Sequence, residues 1–399
     1  MAARIVVRSY VVGFGDCILV RVPGSPRPKH MLIDFGKAPG KGGTTKVFPQ
    51  IAEDIADFCG NHLDLLVMTH EHLDHMEGFY HQRAIFDEMR IDHVWMSLPS
   101  HPDYYERYPD AEPQKRLRAL ASELRGLLEG RAMAPSFESM LENNLSNPER
   151  IQYLRDLAKR GTKVHYLARG LKNPPAPFGE GTVRILAPEK DVSTYYAPGR
   201  VKGLEAMGRR ELAALAPPSR RRVDGASSSS TNPDTSWSAF PGVKRVPSPP
   251  NLTPSDWLRL RGAIRSGAVQ TVRFIDRAQN YTSLCFRLEV AGKSLLFPGD
   301  AELESWEVMA HKCGDDLGAV DFLKVSHHGS HNGTPLDLLD QLLPRARKKK
   351  AVVLVSTKRD VYGTVNPVPD EELMAELSKR ARVVSTDDHD LGDHVELEI

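Results

Sequence analysis

Hydrophobic and polar residues alternate along the start of the chain, which predicts a β-hairpin. The alternation runs from Arg4 to Val12 and from Cys17 to Val22, and the residues between them, Gly13 to Asp16, are typical of a turn. A short apolar run, Met31 to Ile33, predicts a third strand, which ends at an Asp-Phe-Gly sequence. We therefore expect three strands before the first helix.

The spacing of apolar residues then changes to three and four, which predicts a helix over Thr45 to Cys59. A largely apolar stretch, Leu63 to Met68, predicts a buried strand after it. This strand–helix–strand order is typical of α/β folds, whose functional residues gather where strands end. The polar sequence Thr69 to His75 lies at such a strand end.

The remaining pattern predicts one α/β domain over residues 1–399 that carries two insertions. Residues 100–162 have helical spacing and form the first, a helical insert. Residues 217–254 are rich in Ser and Pro and form the second, which we expect to be flexible. Both are interpreted as insertions because strands are predicted on either side of them, at 164–167, 183–187, 269–275, 283–290 and 294–297.

Composition narrows the partners and the compartment. With 53 Lys and Arg against 52 Asp and Glu, the chain has no overall field that would attract a polyanion, so nucleic-acid contacts would be local. The four cysteines form no Cys-x-x-Cys pair and no secretory leader is apparent, which predicts a reduced, cytoplasmic protein. Every apolar stretch is shorter than the roughly 20 residues of a membrane span, so no membrane association is expected.

Four candidate metal ligands crowd the predicted strand end: His70, His72, Asp74 and His75. Imidazole and carboxylate are the natural ligands of zinc and also suit manganese, so this loop predicts a divalent metal site. The spacing allows His70 and His72 to bind one ion while Asp74 and His75 bind a second.

Two later strand ends add further candidates. Asp300 follows the apolar run that ends at Phe297, and His327 and His328 follow another. We favour His327 as the metal ligand because it comes directly after the strand. His328 and His331 are then candidates for protonating a leaving oxygen, and Lys324 for contacting a phosphate.

Together these motifs resemble the metallo-β-lactamase fold superfamily, whose hallmark is His-x-His-x-Asp-His followed by a later Asp and a later His. The chain is most similar to the soluble hydrolase domain of the competence DNA-uptake (ComEC-like) branch. The similarity covers about residues 4–100, 164–188 and 269–399. Its further motifs are the Val-Gly-x-Gly-Asp sequence at 12–16, Ile-Asp-x-Gly at 33–36 and Lys-x-x-His-His-Gly-Ser at 324–330.

The resemblance implies an αββα sandwich with the metal ions between strand ends along one edge. It implies that His70 and His72 bind one ion, that Asp74, His75 and His327 bind the other, and that Asp300 bridges the two. Asp34 would support the His70 loop by hydrogen bonds. The superfamily's third histidine for the first ion is absent here, and Asn280 is its nearest substitute. One ion or two are therefore both compatible with the sequence.

The function implied is a metal-dependent hydrolase, a phosphodiesterase or nuclease acting on DNA, RNA or a nucleotide. A divalent ion lowers the pKa of a bound water from 15.7 toward about 7, and Asp74 and Asp300 would position the resulting hydroxide. Two alternatives remain open. One is hydrolysis of a lactone, thioester or other carboxyl derivative. The other is a non-catalytic subunit that binds a protein partner through residues 100–162.

Overall fold

The computed structural model describes residues 4–40, 44–128, 135–145, 147–171, 177–179, 181–195, 272–359, 361 and 367–399. The predicted flexible segment 217–254 lies outside the described residues. No helix within the described ranges is both long and apolar enough to cross a membrane.

Two mixed sheets form the framework, which confirms the α/β class. Their strands are β1 (Val6–Tyr10), β2 (Cys17–Val22), β3 (Lys29–Phe35), β4 (His62–Met68), β5 (Arg90–Ser97), β6 (Lys163–Leu167), β7 (Thr182–Ala187), β8 (Cys285–Val290), β9 (Lys293–Phe297), β10 (Phe322–Lys324), β11 (Ala351–Val355), β12 (Ala381–Ser385) and β13 (His394–Glu398). The first sheet has the order β13-β1-β2-β3-β4-β5-β6 and the second β12-β11-β10-β9-β8-β7. In both sheets the strands that lead to the candidate site, β3 with β4 and β9 with β10 and β11, run parallel.

Helices connect and cover these strands. They are α1 (Phe48–Cys59), α2 (Leu73–His81), α3 (Arg83–Glu88), α4 (Tyr104–Arg107), α5 (Glu112–Leu128), α6 (Pro135–Asn143), α7 (Pro148–Asp156), α8 (Leu303–Cys313), α9 (Leu339–Leu342) and α10 (Glu371–Arg380), with a further helical segment at 272–280. Helices α4 to α7 all lie between β5 and β6, within the predicted helical insert. The end of α1 illustrates the local chemistry, because Gly60 adopts the left-handed conformation that closes a helix.

The buried apolar residues form three main layers. One layer lies between the sheets and includes Val20, Leu65, Phe286 and Leu354. A second joins the outer face of the first sheet to α1, α2, α3 and α7, and a third joins the outer face of the second sheet to α8, α9 and α10. Strand β4 is apolar from Leu65 to Met68, where alternate side chains enter different layers and both faces of the strand are buried.

The predicted strand at 269–275 is wrong in its described part, because residues 272–280 are helical. Val272 and Phe274 suggest alternation, but Val272, Ile275 and Ala278 are all buried at a spacing of three. That spacing places them on one face of a helix, and burial of this face outweighs the β preference of the branched residues.

Strand ends from the two sheets meet along one edge. The backbone N–H of Leu284, before β8, donates to the carbonyl of Thr69, after β4, at 2.9 Å. Gly299, after β9, approaches Thr69 so closely that a Cβ there would lie 3.2 Å from the Thr69 Cβ. The loops that follow β4 and β9 are therefore in direct contact.

Candidate metal centre

A cluster of four buried side chains lies where these loops meet. Asp74 and His75 come from the first turn of α2, Asp300 follows β9, and His328 follows β10. One ligand atom from each can be chosen so that all four lie within 4.8 Å of one another. We call Asp74, His75, Asp300 and His328 the His/Asp cluster; its ligand types and spacing could hold a metal ion.

The two imidazole rings of the cluster are oriented by hydrogen bonds on their far side. His75 Nδ1 donates to Asp34 Oδ2 at 2.7 Å, and His328 Nδ1 donates to the carbonyl of Ser356 at 2.9 Å. Each ring therefore turns its Nε2 toward the carboxylates. Such supports fix the tautomer and the direction of a metal-binding histidine.

The inward-facing nitrogens have no hydrogen-bond partner. His75 Nε2 lies 3.2 Å from Asp300 Oδ2, and His328 Nε2 lies 3.1 Å from the same oxygen, yet neither contact has hydrogen-bond geometry. His328 Nε2 is also 3.4 Å from Asp74 Oδ2. Buried polar atoms are almost always paired, so these two converging orphan nitrogens are what a metal ion would satisfy. The donor set fits the divalent ion expected from the sequence.

The electrostatics of the cluster also demand positive charge. Burial opposes ionisation of Asp74 and Asp300, but the adjacent imidazoles hold the pKa of each carboxyl below its ordinary range. Burial likewise disfavours the imidazolium, yet the carboxylates, Asp300 foremost, raise the pKa of His75 and bring that of His328 to about 10. Without a metal ion, protons on the histidines supply this charge.

A buried ion pair supports the cluster from below. Lys324 Nζ lies 2.5 Å from Asp16 Oδ2 and 3.2 Å from Asp300 Oδ1, and the lysine is 1 % exposed. Burial lowers the tendency of the amine to be charged, but the two carboxylates raise its pKa above the ordinary value. Asp16 also accepts a hydrogen bond from the Ser356 hydroxyl. Lys324 is therefore engaged by these carboxylates, which argues against the expectation that it contacts a phosphate.

The histidine pair, His70 and His72, lies beside the cluster. His70 Nε2 and His72 Nδ1 are 3.0 Å apart, and the rings of His70 and His75 are 4.2 Å apart between centroids. The Thr69 hydroxyl donates to Asp34 Oδ2 at 2.7 Å, so it accepts from His70 Nδ1 at 3.1 Å. Burial and, to a smaller extent, the nearby His75 hold the pKa of His70 well below its ordinary value, so the ring is neutral. Because its hydrogen is on Nδ1, His70 Nε2 carries a lone pair.

The structure brings His328 into the cluster, and not His327, which the sequence favoured as the ligand. His328 belongs to the cluster, whereas His327 has its Nδ1 3.9 Å from Glu302 Oε1 and its Nε2 3.4 Å from Asn280 Nδ2. The reason is the backbone, since His327 and His328 have φ of 48° and 54° and this left-handed turn directs the second ring inward. Strain of this kind in non-glycine residues is concentrated at functional sites.

The other predicted residues lie at the edge of the centre or outside it. His331 is exposed, whereas the four residues of the His/Asp cluster are all buried. Asn280 donates to Glu302 Oε1 at 2.9 Å, and Glu302, His327 and Asp276 form a second group of potential ligands. Asp34 is a supporting residue as expected, but it bonds His75 as well as the backbone N–H of Thr69, at 2.8 Å.

Two glycines allow the loops to pack this tightly. A Cβ on Gly36 would lie 2.2 Å from the carbonyl oxygen of Leu73, and one on Gly15 would lie 2.8 Å from that of Asp74. Gly15 also has φ of 152°, which side chains rarely adopt. Gly15, before β2, and Gly36, after β3, therefore both allow the chain to pack against the backbone of residues 73–75.

Sequence reasoning missed four residues that contact the centre: Asp16, Ser356, Asn143 and Asn144. The sequence places Asp16 in a turn and in the Val-Gly-x-Gly-Asp motif, but neither indicates its contact with Lys324. The two asparagines lie in the helical insert, some 70 residues from the loop they contact, and no pattern in the sequence connects the two places.

No protein-family model matches this chain, and no curated protein matches it in sequence. The fold and the site therefore define only the class of protein. It is an α/β protein with two mixed sheets and a buried His/Asp cluster, at one sheet edge, that could hold a metal ion.

Proposed function

We propose that the protein is a metal-dependent hydrolase of the metallo-β-lactamase type that cleaves phosphodiesters in a nucleic acid or nucleotide. The observation that carries the proposal is the His/Asp cluster, with the Nε2 atoms of His75 and His328 turned toward Asp74 and Asp300 without hydrogen-bond partners. The sequence resemblance supplies the reaction class, and the helix–sheet–sheet–helix layering agrees with the αββα order that it implies.

The chain offers ligands for one ion or two. Asp74, His75, Asp300 and His328 would hold the first ion. The histidine pair would offer two ligands to a second, because His70 Nε2 and His72 Nδ1 are 3.0 Å apart. Zinc fits this mixture of imidazole and carboxylate, and manganese accepts it as well.

When bound, a divalent ion supplies Lewis-acid activation of water and stabilises negative charge on the attacked group. The protein's own residues prepare this chemistry. Asp34 and the Ser356 carbonyl hold the two imidazoles in one tautomer, and Lys324 fixes Oδ1 of Asp300 while leaving Oδ2 turned inward. Asp74 stays ionised near neutral pH because the adjacent histidines depress its pKa, so it would hold the ion as a carboxylate and could orient a nucleophilic water by accepting a hydrogen bond from it.

Hydrolysis of a lactone or thioester is the second candidate. It is favoured by the engagement of Lys324, whose contacts with Asp16 and Asp300 leave it unable to neutralise a substrate phosphate. Since a carboxyl derivative carries less charge than a phosphodiester, it would need less help of this kind.

The test combines metal analysis with a substrate panel. Purified protein is analysed for bound metals and assayed with Zn²⁺ or Mn²⁺ on bis(p-nitrophenyl) phosphate, single- and double-stranded DNA, RNA, a lactone and a thioester. Asp74→Asn and His328→Ala should lower both metal content and cleavage, whereas His389→Ala, a change at an exposed histidine, should alter neither.

Each outcome supports one of the three candidate functions. Phosphodiester cleavage that depends on Asp74 supports the proposal, and metal with cleavage only of the lactone or thioester supports the second candidate. Less than about one metal per chain with no hydrolysis would refute both and favour the partner-binding subunit.

A further inference from the structure

Two adjacent asparagines from the helical insert reach into the centre, and each contacts a different candidate ligand. Asn143 is the last residue of α6 and contacts Asp74, while Asn144 contacts His72. They are 4 % and 0 % exposed. Buried side-chain amides of this kind need defined partners, so their contacts carry information about the ligands that they meet.

The orientation of the Asn144 amide follows from its surroundings. Its Nδ2 donates to the carbonyl of Met140 at 2.9 Å and to Asp276 Oδ1 at 2.7 Å, and both of these are acceptors. The amide oxygen must therefore face His72 Nε2, which lies 2.9 Å away. Because an amide oxygen only accepts, His72 carries its hydrogen on Nε2.

This contact determines what the other side of the His72 ring offers. With the hydrogen on Nε2, the Nδ1 of neutral His72 is a lone pair, and it faces the lone pair on His70 Nε2 at 3.0 Å. Two lone pairs at this distance repel unless a cation lies between them. Asn144 thus sets the histidine pair in the state in which both nitrogens can bind a metal ion.

Asn143 has the corresponding effect on Asp74. Its Oδ1 accepts from the backbone N–H of Asp74 at 3.2 Å, and its Nδ2 donates to Asp74 Oδ1 at 3.1 Å. The amide therefore binds one side of the carboxylate together with the backbone that carries it. Asp74 Oδ2 is left for the cluster, 3.4 Å from His328 Nε2.

We propose that Asn143 and Asn144 are positioning residues of the metal centre, so that the helical insert is part of the site. Asn144 sets the tautomer of His72, and Asn143 orients Asp74. The metal-affinity consequence rests on the proposed function, whereas the tautomer of His72 is a property of the metal-free protein and does not.

The first experiment reads the tautomer directly. Metal-free protein with ¹⁵N-labelled histidine is examined by long-range ¹H–¹⁵N NMR at neutral pH, with His72→Gln used to assign the His72 signals. Wild type should show His72 protonated at Nε2. Asp276 Oδ1 is 3.8 Å from the same nitrogen and could replace a lost acceptor, so Asn144→Ala is prepared alone and together with Asp276→Ala. In the double variant the Nε2–H preference should be lost, whereas Asp276→Ala alone should keep it.

The second experiment measures Zn²⁺ affinity by competition with a chromophoric chelator. Loss of a supporting contact typically weakens metal binding 10- to 100-fold. Asn143→Ala should weaken binding of the ion in the His/Asp cluster by this factor. The double variant Asn144→Ala with Asp276→Ala should weaken or abolish binding of the second ion, while the affinity for the first changes less than about threefold. Asn147→Ala is the matched control, since this asparagine lies in the same insert but contacts Leu145 and Arg150.

The outcomes separate the two proposals. Persistence of the Nε2–H tautomer in the double variant would overturn the assignment for Asn144. Wild-type affinity of Asn143→Ala would overturn that for Asn143, as would an equal loss in Asn147→Ala, which would indicate a general effect on the insert. If wild type binds no metal, the proposed function and the affinity arm fail together, but the tautomer result still decides the role of Asn144.

Discussion

Gly36→Ala should damage the metal centre without unfolding the protein. The new Cβ would lie 2.2 Å from the carbonyl oxygen of Leu73 and 2.5 Å from both the carbonyl carbon of Asp74 and the amide nitrogen of His75. All three atoms belong to the backbone, so no side-chain rotation relieves the overlap. Reaching an ordinary separation of about 3.5 Å requires a relative shift of roughly 1 Å.

The size of this shift decides which property suffers most. Metal–ligand distances tolerate about 0.2 Å, so a shift of about 1 Å in the Asp74–His75 backbone should weaken metal binding at least tenfold. Overpacking in a folded core costs about 1–3 kcal/mol. Typical domains have about 5–15 kcal/mol of stability, so the variant should stay folded.

The assay pairs Zn²⁺ titration with urea unfolding of the metal-free protein. Gly126→Ala is the control, because this glycine lies in α5, where a Cβ would meet nothing within 4 Å. It should bind Zn²⁺ like wild type and gain up to about 1 kcal/mol of stability from the better helix former. Wild-type Zn²⁺ affinity in Gly36→Ala would refute the reasoning, since the close approach of this glycine could not then hold the loop in place.

Three further predictions concern charge. Lys324→Met leaves Asp16 and Asp300 as uncompensated buried carboxylates, so the metal-free protein should lose about 3–5 kcal/mol of unfolding free energy in urea, and loss of less than 1 kcal/mol would contradict this. Zn²⁺ binding should release protons and weaken as the pH falls, because the ion displaces protons from the cluster histidines. Calorimetry in buffers of different ionisation enthalpy measures the number of protons released. Release of no protons would be inconsistent with the assigned ligands. Burial opposes ionisation of Asp64, but hydrogen bonds from Arg27 and a neighbouring lysine lower its pKa, so its ionised form stabilises the fold above the unfolded-state pKa and this stability is lost as the pH falls. Asp64→Asn should therefore be less stable than wild type at pH 7, with the gap narrowing toward pH 3 in thermal unfolding; a gap that does not change with pH would exclude this account.

Local pattern was sufficient for most of the framework. The alternation in β1 and β2, the helical spacing of α1 and the apolar run of β4 all correspond to elements close to their predicted bounds. These elements bury side chains in the period that their sequence displays, so pattern and structure agree. The strand prediction at 269–275 failed because a strand period of two and a helix period of three to four overlap there. Only burial of one helix face selects the helix.

The site was less predictable because its decisive features depend on contacts distant in sequence. The choice between His327 and His328 rests on two left-handed residues, and no composition rule indicates which ring such a turn directs inward. The contact of Asn144 with His72 spans 72 residues and depends on the path of α5 and α6. Ligand types and their order along the chain were visible in the sequence, whereas their supporting residues required the fold.

The charge balance of the centre explains why these supports matter. Four buried carboxylates, Asp16, Asp34, Asp74 and Asp300, lie in or beside the cluster, against one buried ammonium on Lys324. With neutral imidazoles this leaves an excess of about three negative charges in a region where a charge without a partner is costly. Two protons on the cluster histidines or one divalent ion supply the same positive charge, and the ion also satisfies both orphan nitrogens at once. A divalent ion would therefore bind in competition with these protons. The hydrogen bonds on the far side of each ring would favour the ion, because they already turn the Nε2 atoms of His75 and His328 toward the carboxylates.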